Sequence, residues 1–116
     1  MTISDVIKYL GCDLICGGQN LDKQLASACG ADLMSDVLAF AKEGCLLLTG
    51  MVNNHVIRTA EMLDVLCIVF VRGKKPTEDV CSLASECGIT LLSCEQTLFE
   101  ACGILYKHGL QPCKKV

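Results

Sequence analysis

Six consecutive apolar residues, Leu66-Cys67-Ile68-Val69-Phe70-Val71, leave no polar position to turn toward water. A strand with that pattern must be covered on both faces, as a central strand of a parallel sheet is. The shorter runs Cys45 to Leu48 and Ile89 to Leu92 repeat the pattern, and a helical periodicity follows each run. That rhythm is the one produced by right-handed βαβ crossovers, and one whole αβα unit lies between Asp32 and Asp64. The expected class is α/β, with a mostly parallel sheet under a coat of helices.

The flanking segments fit this frame. Ile3, Val6, Ile7 and Leu10 share a helical face, and Gly11 follows as a left-handed stop. Cys12 to Cys16 is strand-compatible, Gly17 to Asn20 is a turn, and Leu25 to Ala31 predicts a second strand of small side chains. Ser35 is placed to cap a helix over 36–43. Asp36 falls in its first turn, where the positive helix end favours a carboxylate; Met34, Val37, Leu38 and Ala41 face inward and Gly44 ends it. A helix after the loop Gly50 to Asn54 turns Val56, Ile57, Ala60 and Leu63 inward. Thr77 caps another, with Val80, Leu83, Ala84 and Cys87 inward and Gly88 as its stop. The last helix spans 95–108 through Leu98, Cys102 and Leu105. One domain over 1–116 is expected, with its core over 3–108 and a loose tail over 109–116.

Composition narrows the function classes. Ten Lys and Arg against thirteen Asp and Glu give a net charge of −3, without a basic stripe and with few aromatics. Nucleic acid is therefore not an expected partner, since it calls for clustered cations or stacking rings. No uncharged run reaches membrane-span length, and Asp5 and Asp13 interrupt what would have to be a signal peptide. The expectation is a cytoplasmic protein. Apolar residues make up 52% before the ten glycines are counted. An ordinary domain has about 45–50% with glycine included, and the excess suggests apolar surface buried against a second copy or another protein.

Ten cysteines could mean disulfides, metal or packing. No CxxC occurs, and His55 and His108 lack a neighbouring ligand pair. Most of the thiols fall where Ala, Val or Ser would serve, as free Cys does in a reducing compartment. Cys12, Cys16 and Cys94 are the residues a metal or iron–sulfur site would draw on. No metal and no cofactor is expected. His55 and His108 read as structural.

In parallel sheets, ligands gather beyond the carboxyl ends of the strands, where helix-start N–H groups can hold an anion. The rule selects Thr49, Gly50, Asn53, Asn54 and His55 after one run, Arg72, Gly73 and Lys74 after the next, and Ser93 and Cys94 after the last. A nucleotide or phosphorylated metabolite is the ligand such a set would take. The plainer reading has Asn53 and Asn54 capping a helix and the two cations solvated. Neither GxxxxGK[ST] nor GxGxxG occurs, and there is no catalytic constellation. Asp32 and Asp36 could offer paired carboxylates; Asp36 reads instead as a dipole complement and Asp32 as a turn residue.

The strings Leu21-Asp22-Lys23, Gly30-Ala31-Asp32-Leu33-Met34-Ser35-Asp36-Val37 and Ala41-Lys42-Glu43-Gly44 resemble the DRTGG domain family. Asn53-Asn54-His55-Val56-Ile57 and Glu86 to Ser93 fit the same pattern, which covers roughly residues 3–108. The resemblance is nearest to small stand-alone clostridial-type members. In it the namesake motif is reduced: Asp22 is kept, Lys23 stands where Arg is usual, and Gly30 alone remains of Thr-Gly-Gly. Lysine cannot reproduce the arginine fork. Asp32, Ser35 and Asp36 belong to the best-matching block. The resemblance implies a three-layer α/β/α sandwich similar to the amino-terminal domains of HPr kinase/phosphorylase and of Mur ligases. It also implies an accessory role, regulatory or dimerising, without chemistry of its own. Relatives are fused to CBS pairs in regulated pyrophosphatases and to phosphotransacetylase. The leading expectation is thus a non-catalytic, self-associating regulatory module, a homodimer that acts on a protein partner. The alternative is a sensor of an adenine nucleotide or similar anion.

Overall fold

The structure, a computed structural model, describes residues 1–113. In chain order the elements are α1 (Ile3–Leu10), β1 (Asp13–Cys16), a 3-10 turn (Gly18–Asn20), β2 (Ala28–Gly30), α2 (Met34–Phe40) and β3 (Leu46–Thr49). They continue with α3 (Asn54–Met62), β4 (Cys67–Phe70), α4 (Glu78–Cys87), β5 (Thr90–Ser93) and α5 (Leu98–Lys107). One sheet holds all five strands in the order β1-β5-β4-β3-β2. β2 to β5 run parallel, and β1 is antiparallel at the edge beside β5. The three apolar runs are therefore its three inner strands, and every residue of β3, β4 and β5 is buried.

Alternation along those strands divides the interior in two. Leu47, Ile68, Phe70 and Leu91 join one core with Met34, Val37, Val56, Ile57, Ala60, Val80 and Ala84 from α2, α3 and α4. Leu46, Leu48, Cys67, Val69 and Leu92 join the other with Ile3, Val6 and Leu10 of α1 and Ala101 and Leu105 of α5. Each such aliphatic side chain stabilises the fold by about 1.5–3 kcal/mol. β2 to β5 follow one another in space as in sequence, so their connecting helices all lie on one face. The helix after β5 lies on the other. Chain leaving β4 and chain leaving β5 consequently part to opposite faces.

Several local expectations are corrected. Ser35 is not a cap: Leu33 takes that place without a side-chain bond, and Ser35 lies inside the first turn beside Asp36. The helix stops at Phe40 because Ala41 is already extended, and Gly44 (φ 76°) belongs to the turn that follows. Leu38 is 47% exposed and outside the core. The second strand is only Ala28–Gly30. The last helix starts at Leu98, after a capping box in which Thr97 accepts from the Glu100 N–H and Glu100 accepts from that of Thr97. Thr2 and Asp5 form the same box on α1. Residues 109–113 are not loose. Leu110 is 5% exposed, and the Ala28 N–H and carbonyl bond Gln111 O and Cys113 N at 2.9 Å each. Residues 114–116 of the expected tail lie outside the described residues.

Candidate functional site

Two buried hydroxyls at the carboxyl ends of the inner strands, on Thr49 and Ser93, each have a hydrogen-bond acceptor, as groups in a dry interior must. Thr49 donates to Asp32 Oδ1 at 3.1 Å, and Ser93 donates to the Lys74 carbonyl at 2.7 Å. Asp32 Oδ1 also accepts from the Gly50 N–H at 2.7 Å, while the Met51 N–H turns back to Thr49 Oγ1 at 3.1 Å. Lys74 Nζ reaches across from the β4–α4 loop to the Gly50 carbonyl at 2.8 Å. Asp32, Thr49, Gly50, Lys74 and Ser93 are thereby tied into one corner.

The β4–α4 loop carries the backbone feature that marks this corner. The Lys74 N–H bonds the Val71 carbonyl at 3.3 Å, and Arg72 and Gly73 between them have φ of 58° and 68°. Two successive left-handed residues make the mirror-image turn that Asn-Gly favours, and a side chain as large as Arg is uncommon at its first position. A non-glycine residue there costs about 1–2 kcal/mol and persists only when its surroundings impose it. They do: the Arg72 N–H bonds the Gln96 carbonyl and the Gly73 N–H bonds the Cys94 carbonyl, both at 2.8 Å. The Arg72 guanidinium lies over Gly50, with Nη2 2.7 Å from where a Cβ would stand. Arg72 is exposed, and among the described residues no hydrogen bond or ion pair engages its guanidinium. Glu95 comes close to Gly73, its Oε2 2.8 Å from a Cβ built there.

Of the residues selected from sequence, Thr49, Gly50, Arg72, Gly73, Lys74 and Ser93 come together. Asn53 does not join them: its side chain caps α3, accepting from the Val56 N–H at 3.0 Å. Asn54 and His55 are exposed on the first turn of α3, without a hydrogen bond to the corner. Asp32, read as a turn residue, is the anchor of the corner instead. Glu95 was not selected at all, although its place one residue past Cys94 obeys the same strand-end rule. Asp22 and Lys23 lie away from it. Lys23 lines a hollow with Leu66, Gly88 and Ile89, at the opposite, amino ends of β4 and β5. Gly30 is on β2, where a Cβ would meet Cys102 Sγ at 2.6 Å, so it serves the close approach of α5. His108 stacks on Tyr9 with ring centroids 4.0 Å apart and bonds the Ile104 carbonyl through Nδ1 at 2.8 Å.

All ten cysteines carry free thiols. Among the described residues no three His, Cys, Asp or Glu side chains are arranged to hold a metal. The interaction between the Cys12 and Cys94 thiols holds Cys94 below the ordinary thiol value and pushes Cys12 well above it. Burial, with Cys113 close by, pushes the Cys45 thiol up to about 12. An apolar hollow of about 170 Å³ lies elsewhere, between β2, α5 and the 110–112 segment. No helix among the described residues is long and apolar enough to cross a membrane.

The fold is shared with a solved structure, the CBS and DRTGG domains of the regulatory region of Clostridium perfringens pyrophosphatase complexed with its activator diadenosine tetraphosphate. The TM-score is 0.75 at 15% identity, over 90% of this chain and 45% of that one. The chain thus spans less than half of that neighbour's length, and the likeness is one of fold. No curated protein sequence matches it. The DRTGG domain model matches residues 5–107, nearly the whole chain, and the protein belongs to the DRTGG domain family.

Proposed function

We propose that this domain is a regulatory module without chemistry of its own, which senses a nucleotide or similar phosphorylated metabolite at the Asp32–Gly50–Arg72 corner. Arg72 carries the reading: a strained backbone holds an unengaged guanidinium over a glycine at the mouth of three parallel strands. Two cations and two carboxylates meet there, Arg72 and Lys74 with Asp32 and Glu95. Bare phosphate would be repelled by the carboxylates. A ligand that offers both phosphate and sugar hydroxyls satisfies both kinds of group, as acidic residues do for ribose in nucleotide sites. The pyrophosphatase regulatory region is complexed with a dinucleoside polyphosphate, which is a ligand of this class.

Hydrogen bonds join Asp32 to Thr49 and to Gly50, which favours this corner over Asp22, Lys23 and Gly30 as the place of the sensing site. The kinship with HPr kinase/phosphorylase and Mur ligase amino-terminal domains, as a three-layer α/β/α sandwich, belongs to the same proposal. The two cores on opposite sides of the sheet support it.

Self-association in the cytoplasm, as a homodimer that acts on a protein partner, is the second part of the proposal. Phe99 and Tyr106, 88% and 65% exposed on α5, favour it. Sedimentation at micromolar concentration tests this part, and a clean monomer refutes it. For the ligand, thermal shift is measured with diadenosine tetraphosphate, ATP, AMP and inorganic phosphate. A ligand at about 100 times its dissociation constant adds about 2.7 kcal/mol. A shift with the nucleotides that exceeds that with phosphate is expected; no shift with any of them overturns the sensing role.

A further inference from the structure

We propose that Cys12 and Cys94 form a reversible disulfide under hydroperoxide, a redox latch on the corner that carries Arg72. Cys12 immediately precedes β1 and Cys94 immediately follows β5, at the paired ends of two neighbouring strands. β1 pairs β5 with Asp13 opposite Ser93 and Leu14 opposite Leu92; carried one residue past its last pair, that antiparallel register would bring Cys12 opposite Cys94. Directly opposed residues in such a ladder have Cα atoms about 4.5–5.5 Å apart, within the range a disulfide spans. Cys12 packs against the core cluster to which Cys94 belongs.

Cys94 is also the residue through which the corner is held. Its N–H bonds the Phe70 carbonyl at 2.9 Å and its carbonyl accepts from the Gly73 N–H at 2.8 Å. Two further ties join the end of α1 and the start of β1 to this region: Gln96 Nε2 donates to the Leu10 carbonyl at 3.0 Å, and Lys75 pairs with Asp13. A covalent bond from Cys12 would fix what these ties hold reversibly.

The chemistry balances without another component. Cys94 is buried and Cys12 half-buried, so the pair meets solvent from the Cys12 side. One of the two sulfurs takes the terminal oxygen of the hydroperoxide; the O–O bond breaks, the alcohol leaves with that thiol's proton, and a sulfenic acid forms. The other sulfur then displaces that hydroxyl, which leaves as water with the remaining thiol proton. Two thiols are oxidised by two electrons, and the hydroperoxide is reduced to an alcohol and water. A dithiol reverses the bond by exchange.

The test uses the full chain and needs no ligand, so it stands or falls apart from the sensing role. The protein is treated with hydrogen peroxide, its remaining thiols are blocked with N-ethylmaleimide, and the unreduced digest is mapped by mass spectrometry. The expected product links the Cys12 and Cys94 peptides and lowers the thiol count from ten to eight. Dithiothreitol restores it, and neither Cys12→Ala nor Cys94→Ser forms the link. Exchange of the Gly73 amide is expected to slow about tenfold on oxidation. Absence of the link in the wild type, linkage of other pairs such as Cys45 with Cys113, or unchanged Gly73 exchange overturns the latch.

Discussion

Gly50 donates its backbone N–H to Asp32 Oδ1 at 2.7 Å, across a span of 18 residues that includes all of α2 and β3. The same oxygen takes the hydroxyl of Thr49, so one exposed carboxylate satisfies two groups of a buried strand end. Asp32→Ala leaves both donors without that acceptor. Loss of about 1–3 kcal/mol is expected, read as a lower midpoint in urea with an unchanged slope. Asp32→Asn keeps an acceptor oxygen and is expected to recover most of it.

Gly50→Ala separates stability from site geometry. The glycine has an ordinary φ, so the backbone accepts a methyl, but that methyl would stand 2.7 Å from Arg72 Nη2. A guanidinium at the end of a flexible side chain moves aside at little cost, about 0.5 kcal/mol or less. The expected variant keeps the wild-type melting temperature and loses nucleotide affinity, checked by thermal shift with and without diadenosine tetraphosphate.

Gly17 has no such escape. Its φ is 85°, and a Cβ there would stand 2.7 Å from the Thr90 Cα and 2.6 Å from its Oγ1, which donates to the Gly17 carbonyl. Left-handed strain and a backbone clash combine, so Gly17→Ala is expected to cost about 3 kcal/mol. Equilibrium denaturation checks this against Gly11→Ala, whose site has a positive φ and open space and whose cost is expected to be about 1–2 kcal/mol.

Much of the architecture was legible because it rests on periodicity. Runs with no polar alternation can only be inner strands, and all three are buried along their whole length in the sheet. The errors fell where one side chain decides. Ser35 has the right chemistry for a cap and the wrong position, because helix α2 begins at Met34, two residues before the expected start at 36. The segment after Gly109 looked loose on composition, yet Leu110 is buried and the backbone pairs with Ala28, a tertiary contact that no local pattern announces. The strand-end rule selected Thr49, Gly50, Arg72, Lys74 and Ser93, which the fold brings into one corner. It misplaced Asp32, since the carboxylate reaches the corner from the other end of a helix–strand unit. Asn53 showed the competing use of the same residue type, since a cap and a ligand contact draw on one side-chain oxygen.

Acid should unfasten the two capping boxes. Asp5 accepts from the Thr2 N–H at 2.9 Å, and Glu100 from the Thr97 N–H at 3.1 Å. These bonds, the largest cause in each case, hold both carboxyls below their ordinary values of 3.8 and 4.5. A depressed carboxyl adds stability that is complete above the ordinary value and is lost as pH falls through the lower, folded one. The thermal midpoint is therefore expected to fall below about pH 4, and to fall less steeply in the Asp5→Asn, Glu100→Gln double variant, as melts from about pH 7 to about pH 3 would record.

Calorimetric titration of diadenosine tetraphosphate into the wild type and into Arg72→Ala tests the central claim most directly. Arg72 is exposed and its guanidinium makes no hydrogen bond or ion pair among the described residues, and alanine keeps the same left-handed backbone, so the substitution should leave the fold intact. Saturable binding by the wild type, reduced about tenfold or more in Arg72→Ala, is the predicted result. Equal binding by both proteins, or heat no different from buffer in the wild type, would contradict it.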